Sequence, residues 1–231
     1  DAGVDHILSY GGVKAGNVQD LIYGAMFTRG GDKLKNTAVF IGGSQVEPAQ
    51  ELMEAVLNTF FGPVQVSVLL DANGCNTTAG AAVIKMNEAH PVAGEEVMVL
   101  AGTGPVGMRA AALLALEGAK VTLSSRSLEK ARTVCDLLKE QYQVDVAAIA
   151  LNPADQEAMA EALAGKSAVL TTGAPGALLL AEETWTAQPE LKVLADLNAV
   201  PPGGIGGLKP TDKAKERQGK ICFGPLGIGG F

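Results

Sequence analysis

Residues 97–108 read VMVLAGTGPVGM: a short apolar run, glycines at 102, 104 and 107, then the start of an apolar helical pattern. This is G-x-G-x-x-G between a strand and a helix, and few folds accommodate it when a second strand pattern, AKVTLSS, follows roughly 20 residues on. Gly102 permits a tight turn, Gly104 lets a pyrophosphate approach the backbone, and Gly107 lets helix and strand pack closely. The helix start turns its N–H groups and the positive end of its dipole toward that anion. Gly102, Thr103, Gly104, Pro105, Val106 and Gly107 are therefore expected to bind a dinucleotide.

An Asp or Glu commonly closes the second strand and holds the ribose hydroxyls of NAD. Here the chain reads SSRS at 124–127, with no acid in place. The guanidinium of Arg126 presents forked donors to a phosphate, and Ser124 or Ser125 adds a hydroxyl donor. The expected ligand is the 2′-phosphate of NADP, with NAD as a further acceptor.

Apolar runs alternate with helical patterns along the whole chain, the mark of an α/β protein with parallel strands. TAVFIGG (37–43) and VQVSVLL (64–70) read as strands, with a helix between them. SQVE at 44–47 reads as its capping box, and Pro48 suits its first turn. These form a smaller N-terminal α/β domain, expected over residues 1–93. From 94 to 231 the strand patterns at 97–101 and 119–125 are joined by VDVAAI, SAVLTTG and LKVLADLNA, five strands of a Rossmann-type doubly wound parallel sheet. Thr172, Gly173 and Asn198 stand where the last two of these strands end, and complete the expected cofactor set. Beyond them PPGGIGGLKP and FGPLGIGG predict a C-terminal region of loops.

A net charge of -7, with none of the 18 basic residues in a dense run, argues against a nucleic-acid surface. No run of 18 apolar residues predicts a membrane span. Cys75, Cys135 and Cys222 are odd in number and widely spaced, which suggests neither a disulfide framework nor a zinc site and fits a reducing, cytoplasmic setting. His6 and His90 are the only histidines, so no metal site is expected. Tyr10 and Lys14 have Tyr-x-x-x-Lys spacing, but they precede the dinucleotide fold and are read as coincidence.

DANGCNTT (71–78) follows a strand at its carboxyl end, where open α/β sheets place ligands. Asp71 offers a carboxylate, while Asn73, Asn76, Thr77 and Thr78 both donate and accept. The same residue types are preferred in turns and helix caps, so composition leaves both readings open.

Taken with DANGCNTTAGAA, the segments VLAGTGPVGMRAAALLA, ADLNAVPPGGIGG and FGPLGIGG make nearly the whole chain resemble the NAD(P)-dependent methylene-tetrahydromethanopterin dehydrogenases of methylotrophic bacteria. Relatives of that family also use methylene-tetrahydrofolate. The resemblance implies NADP on the C-terminal domain, a small-molecule pterin as co-substrate, and a homo-oligomer. It implies hydride transfer, for which Asp71, Asn73 and Thr77 are the candidate catalytic residues on the pterin side. Members of that family begin with a further strand and extend past GIGG. Two other readings fit the same architecture: an NADPH-dependent reductase of a small carbonyl acid, resembling shikimate dehydrogenase, and a non-catalytic NADP- or pterin-binding protein.

Overall fold

The computed structural model describes residues 3–229, and the chain divides into two compact units after Gly74. In the first, helix α1 (Gln19–Phe27) precedes strand β1 (Ala38–Ile41), helix α2 (Val46–Thr59) and strand β2 (Ser67–Leu70). The two strands pair in parallel, from Ala38 opposite Ser67 to Ile41 opposite Leu70. Helix α2 begins at Val46 with Gln45 at its N-cap and no side-chain cap bond, so the expected capping box at Ser44 does not form. Pro48 does fall in its first turn, where its missing N–H costs nothing.

The second unit opens with α3 (Cys75–Ala89), then β3 (Glu96–Leu100), α4 (Pro105–Leu116), β4 (Lys120–Ser125), α5 (Leu128–Tyr142), β5 (Val146–Ala150) and α6 (Gln156–Leu163). It continues through β6 (Ala168–Thr171), α7 (Glu182–Thr186), β7 (Val193–Asp196), β8 (Lys215–Arg217), β9 (Lys220–Phe223) and α8 (Pro225–Gly229). The seven-stranded sheet has the order β5-β4-β3-β6-β7-β9-β8, parallel throughout except for β8, which runs antiparallel to β9. Without β8 this is the doubly wound order that reverses between the first and fourth strands.

Two expectations are corrected here. The unit boundary lies after Gly74 and not at residue 93, because α3 packs Ala79, Ala82, Val83 and Met86 into the same core as Ala110, Ala111 and Leu114 of α4. The sheet has seven strands and not five, since the segment expected as loops holds β8, β9 and α8. Gln218 and Gly219 both have positive φ, 49° and 74°, as a two-residue hairpin turn demands.

Parallel strands covered on both faces read as unbroken apolar runs. Alternate residues serve opposite layers: Val97, Val99, Leu170 and Ala195 pack under α3, α4 and α5, while Met98, Leu100, Val169 and Leu194 pack against Met159, Leu163 and Trp185. Trp185 is fully buried and donates its indole N–H to Gly206 O at 2.9 Å.

Asp212 anchors the segment that leads into the β8–β9 hairpin. Burial pushes its carboxyl upward, but Arg217, at 2.7 Å on both oxygens, and the Lys209 N–H at 2.8 Å outweigh that and hold it below its ordinary value of 3.8. A carboxylate with a depressed pKa contributes stability that is present above its unfolded value and lost as pH falls through the folded one. The melting temperature should therefore decline as pH drops below that ordinary value. In Asp212→Asn the acid-side decline should be shallower, which a pH series of thermal melts will show.

Candidate functional site

The turn between β3 and α4 is shaped by its glycines in two different ways. A Cβ on Gly102 would lie 2.7 Å from Leu123 Cγ, and one on Gly107 would lie 2.5 Å from Thr172 Oγ1 and 2.6 Å from Gly102 Cα. Those two glycines are packing requirements. Gly104 has no atom within 4 Å of a built Cβ, so open space lies over it. Gly104 is also the N-cap of α4, Pro105 follows as the first helical residue, and no side chain fills the cap. The N–H groups of the first turn are therefore offered to an anion. Pro105 is exposed, whereas Val106 packs against the core.

Behind this turn the backbone is held in an unusual conformation. Ala101 has φ +54°, the left-handed region that side chains other than Asn and Asp seldom adopt. Its N–H donates to Ser124 Oγ at 3.1 Å, and the Thr172 hydroxyl lies 3.2 Å from both Leu100 O and Ala101 O. Ser124 is buried and serves this turn, while the less buried Ser125 and Ser127 also line the site.

A cavity of about 820 Å³ lies over the carboxyl ends of these strands, with Thr103, Ser125, Arg126, Lys130, Asn152 and Gly173 in its wall. That volume is within the range of cofactor pockets. Arg126 is exposed, and among the described residues no carboxylate pairs with it. The open space at Gly104, the uncapped helix and the acid-free end of β4 together fit a phosphorylated dinucleotide.

Three residues expected at the cofactor divide by role. Gly173 lines the cavity, and a Cβ there would strike Leu179. Thr172 and Asn198 are not among the residues of the cavity wall. The Asn198 amide accepts from Gly176 N–H at 3.2 Å and Val200 N–H at 3.0 Å, and donates to Ala174 O at 3.2 Å. It braces the loop after β6.

Asp196, which sequence reasoning passed over, does more for the site than either. It is 3% exposed and accepts from the Thr171 hydroxyl at 2.6 Å, Asn198 N–H at 2.9 Å, Gly204 N–H at 2.8 Å and Ile205 N–H at 3.2 Å. The visible signal was an acid at the end of an otherwise apolar strand, followed by a glycine-rich loop that needs an acceptor.

On the other side of the unit boundary, Asp71 stands at the carboxyl end of β2, its N–H bonded to Ile41 O at 2.9 Å. Asn73 is exposed with φ +54°, a conformation Asn tolerates, and its N–H reaches Gly43 O at 2.6 Å. Thr77 is exposed on the first turn of α3 and so belongs to the second unit. Beside it, Asn76 accepts from Arg109 Nε, and Arg109 Nη1 donates to Pro105 O at 2.8 Å. This ties the start of α3 to the start of α4. None of the three catalytic candidates is in the wall of the large cavity.

The sequence and the fold were compared with those of known proteins. The family model described as methylene-tetrahydromethanopterin dehydrogenase, N-terminal, matches residues 1–73. The bifunctional protein MdtA of Methylorubrum extorquens is 47% identical over 233 residues, covering 100% of this chain and 80% of that protein. An NAD(P)-dependent methylenetetrahydromethanopterin dehydrogenase of the same organism is 30% identical over 215 residues, covering 90% of this chain and 72% of that protein. Among solved structures, a transhydrogenase from Sinorhizobium meliloti superposes with a TM-score of 0.54 at 21% identity, over 67% of this chain and 48% of its own, a likeness of fold alone. At these identities and over these lengths, the chain belongs to the methylene-tetrahydromethanopterin dehydrogenase family and is an oxidoreductase of that family.

Proposed function

We propose that the protein transfers a hydride from the methylene carbon of N5,N10-methylene-tetrahydromethanopterin, or of methylene-tetrahydrofolate, to NADP, as a cytoplasmic homo-oligomer. The observation that carries this reading is the β3–α4 turn, whose Gly104 leaves room for a pyrophosphate in a chain of this family. No helix among the described residues is long and apolar enough to cross a membrane.

NADP, when bound, would supply the hydride acceptor, C4 of its nicotinamide ring. The methylene C–H bond breaks with its electron pair, no proton is released, and the positive charge left on carbon is shared by the two adjacent nitrogens. No general base is required. The first turn of α4 would hold the pyrophosphate, with Thr103 and Gly173 beside it, and Arg126 with Ser125 would hold the 2′-phosphate. In this reading Asp71 would offset the charge that grows on the pterin carbon, and Asn73 and Thr77 would orient the ring.

The test is an assay with both methylene-pterins and both nicotinamide cofactors, following absorbance of the methenyl product and of NADPH. Absence of turnover with either pterin would overturn the reading. Arg126→Ala removes a charge-assisted phosphate contact of about 1.5 to 3 kcal/mol, roughly 10- to 150-fold in affinity. The Michaelis constant for NADP should rise by that factor and the constant for NAD should not. Equal effects on both would remove Arg126 from the 2′-phosphate.

A further inference from the structure

Lys130 lines the same cavity as Arg126. Ser127 caps α5 by accepting the Lys130 N–H at 3.3 Å, which fixes the first turn of that helix against the end of β4. Arg126 precedes the cap and Lys130 follows it by three residues, and both side chains reach one wall. Among the described residues neither has an ion-pair partner. A cation in the first turn of a helix opposes the helix dipole, an arrangement that a bound anion relieves. Ser125 Oγ and Ser127 Oγ each already accept a backbone N–H at 3.3 Å, so their hydroxyl hydrogens are left to donate, and both line the cavity.

We propose that Lys130 is the second cation of the 2′-phosphate site, and that the pair, not Arg126 alone, sets the preference for NADP over NAD. The proposal rests on the NADP reading above. Two cations and two hydroxyl donors match a dianion with three terminal oxygens. The ribose diol of NAD would find no carboxylate among the cavity residues.

Calorimetry with 2′,5′-ADP and 5′-AMP isolates this corner of the site without turnover or pterin. Wild type should bind 2′,5′-ADP well above 5′-AMP. In Lys130→Gln the ratio should fall about tenfold, the loss of one charge-assisted phosphate contact, with 5′-AMP affinity unchanged, and Lys130→Arg should keep most of it. Because the 2′-phosphate loses its second proton near pH 6, affinity for 2′,5′-ADP should climb from about pH 5.5 to 7, and the climb should be smaller in Lys130→Gln. A wild-type ratio in Lys130→Gln, with a lowered one in Arg126→Gln, overturns the Lys130 assignment and leaves the NADP reading standing. A wild-type protein that binds both nucleotides equally overturns both.

Discussion

Gly107→Ala is expected to destabilise the protein and weaken NADP binding together, whereas Gly104→Ala should weaken binding alone. At Gly107 the added methyl would sit 2.6 Å from Gly102 Cα and 2.7 Å from Gly102 O, backbone atoms that cannot swing aside. Helix α4 must lift from the sheet, and with it Ala110, Ala111 and Leu114, each 0% exposed. Overpacking of this kind costs about 1–3 kcal/mol, or roughly 2–4 °C of melting temperature per kcal/mol for a chain of this size. The same lift would carry the first-turn N–H groups away from the proposed pyrophosphate position. At Gly104 the methyl meets no protein atom within 4 Å, so stability should hold while the methyl occupies ligand space. Thermal melts and NADP titrations of the two variants separate the effects. A Gly107→Ala protein that melts like wild type would contradict the packing described, and a Gly104→Ala protein that binds NADP normally would contradict the pyrophosphate site.

That contrast also shows what was legible in the sequence. The glycine motif marked the turn and its helix, because Gly102 and Gly107 each answer a steric demand that other residues fail. Buried parallel strands were legible for a similar reason: Val97–Leu100 and Ala168–Thr171 are covered on both faces and carry almost nothing but apolar side chains. The edge hairpin was not. Lys215, Glu216 and Arg217 make a strand of three charged residues, two of them exposed, a composition that protects a sheet edge and hides its β character. The unit boundary is hard to read because only a short turn separates β2 from α3, and the alanine face of α3, packed on α4, assigns that helix to the second unit. Thr172 and Asn198 stand just after strands, a place that ligand contacts and loop braces share. Whether such a residue faces the ligand or braces the loop depends on rotamer and partner, which spacing does not encode.

Asp196 is the residue of this kind whose loss should be most costly. Its two oxygens hold Thr171, Asn198, Gly204 and Ile205, and Gly204 is pressed so closely that a Cβ there would lie 2.6 Å from Asp196 Oδ1. Gly204 O in turn accepts the N–H groups of Leu179 and Leu180 at 2.9 and 3.1 Å. Leu179, with Gly173 and Ala174, lines the cavity proposed for NADP. The carboxylate therefore organises the loop after β7 and, through it, the loop after β6. Asp196→Ala would leave buried donors without an acceptor at about 1–3 kcal/mol each, so a loss of roughly 3 kcal/mol or more is expected, together with weaker NADP binding. Asp196→Asn tests the charge and the acceptor geometry separately from size. Its amide has one oxygen in place of two, so it satisfies either the Thr171 side or the Gly204 side but not both, and it should fall between wild type and Asp196→Ala. Thr171→Val removes a single donor and should cost about 1 kcal/mol. The measurements are thermal melts and NADP titrations on all three variants. If Asp196→Asn matches wild type in stability, the carboxylate does not organise these loops. If Asp196→Ala folds less stably but binds NADP unchanged, the loops are braced by Asp196 without shaping the cavity.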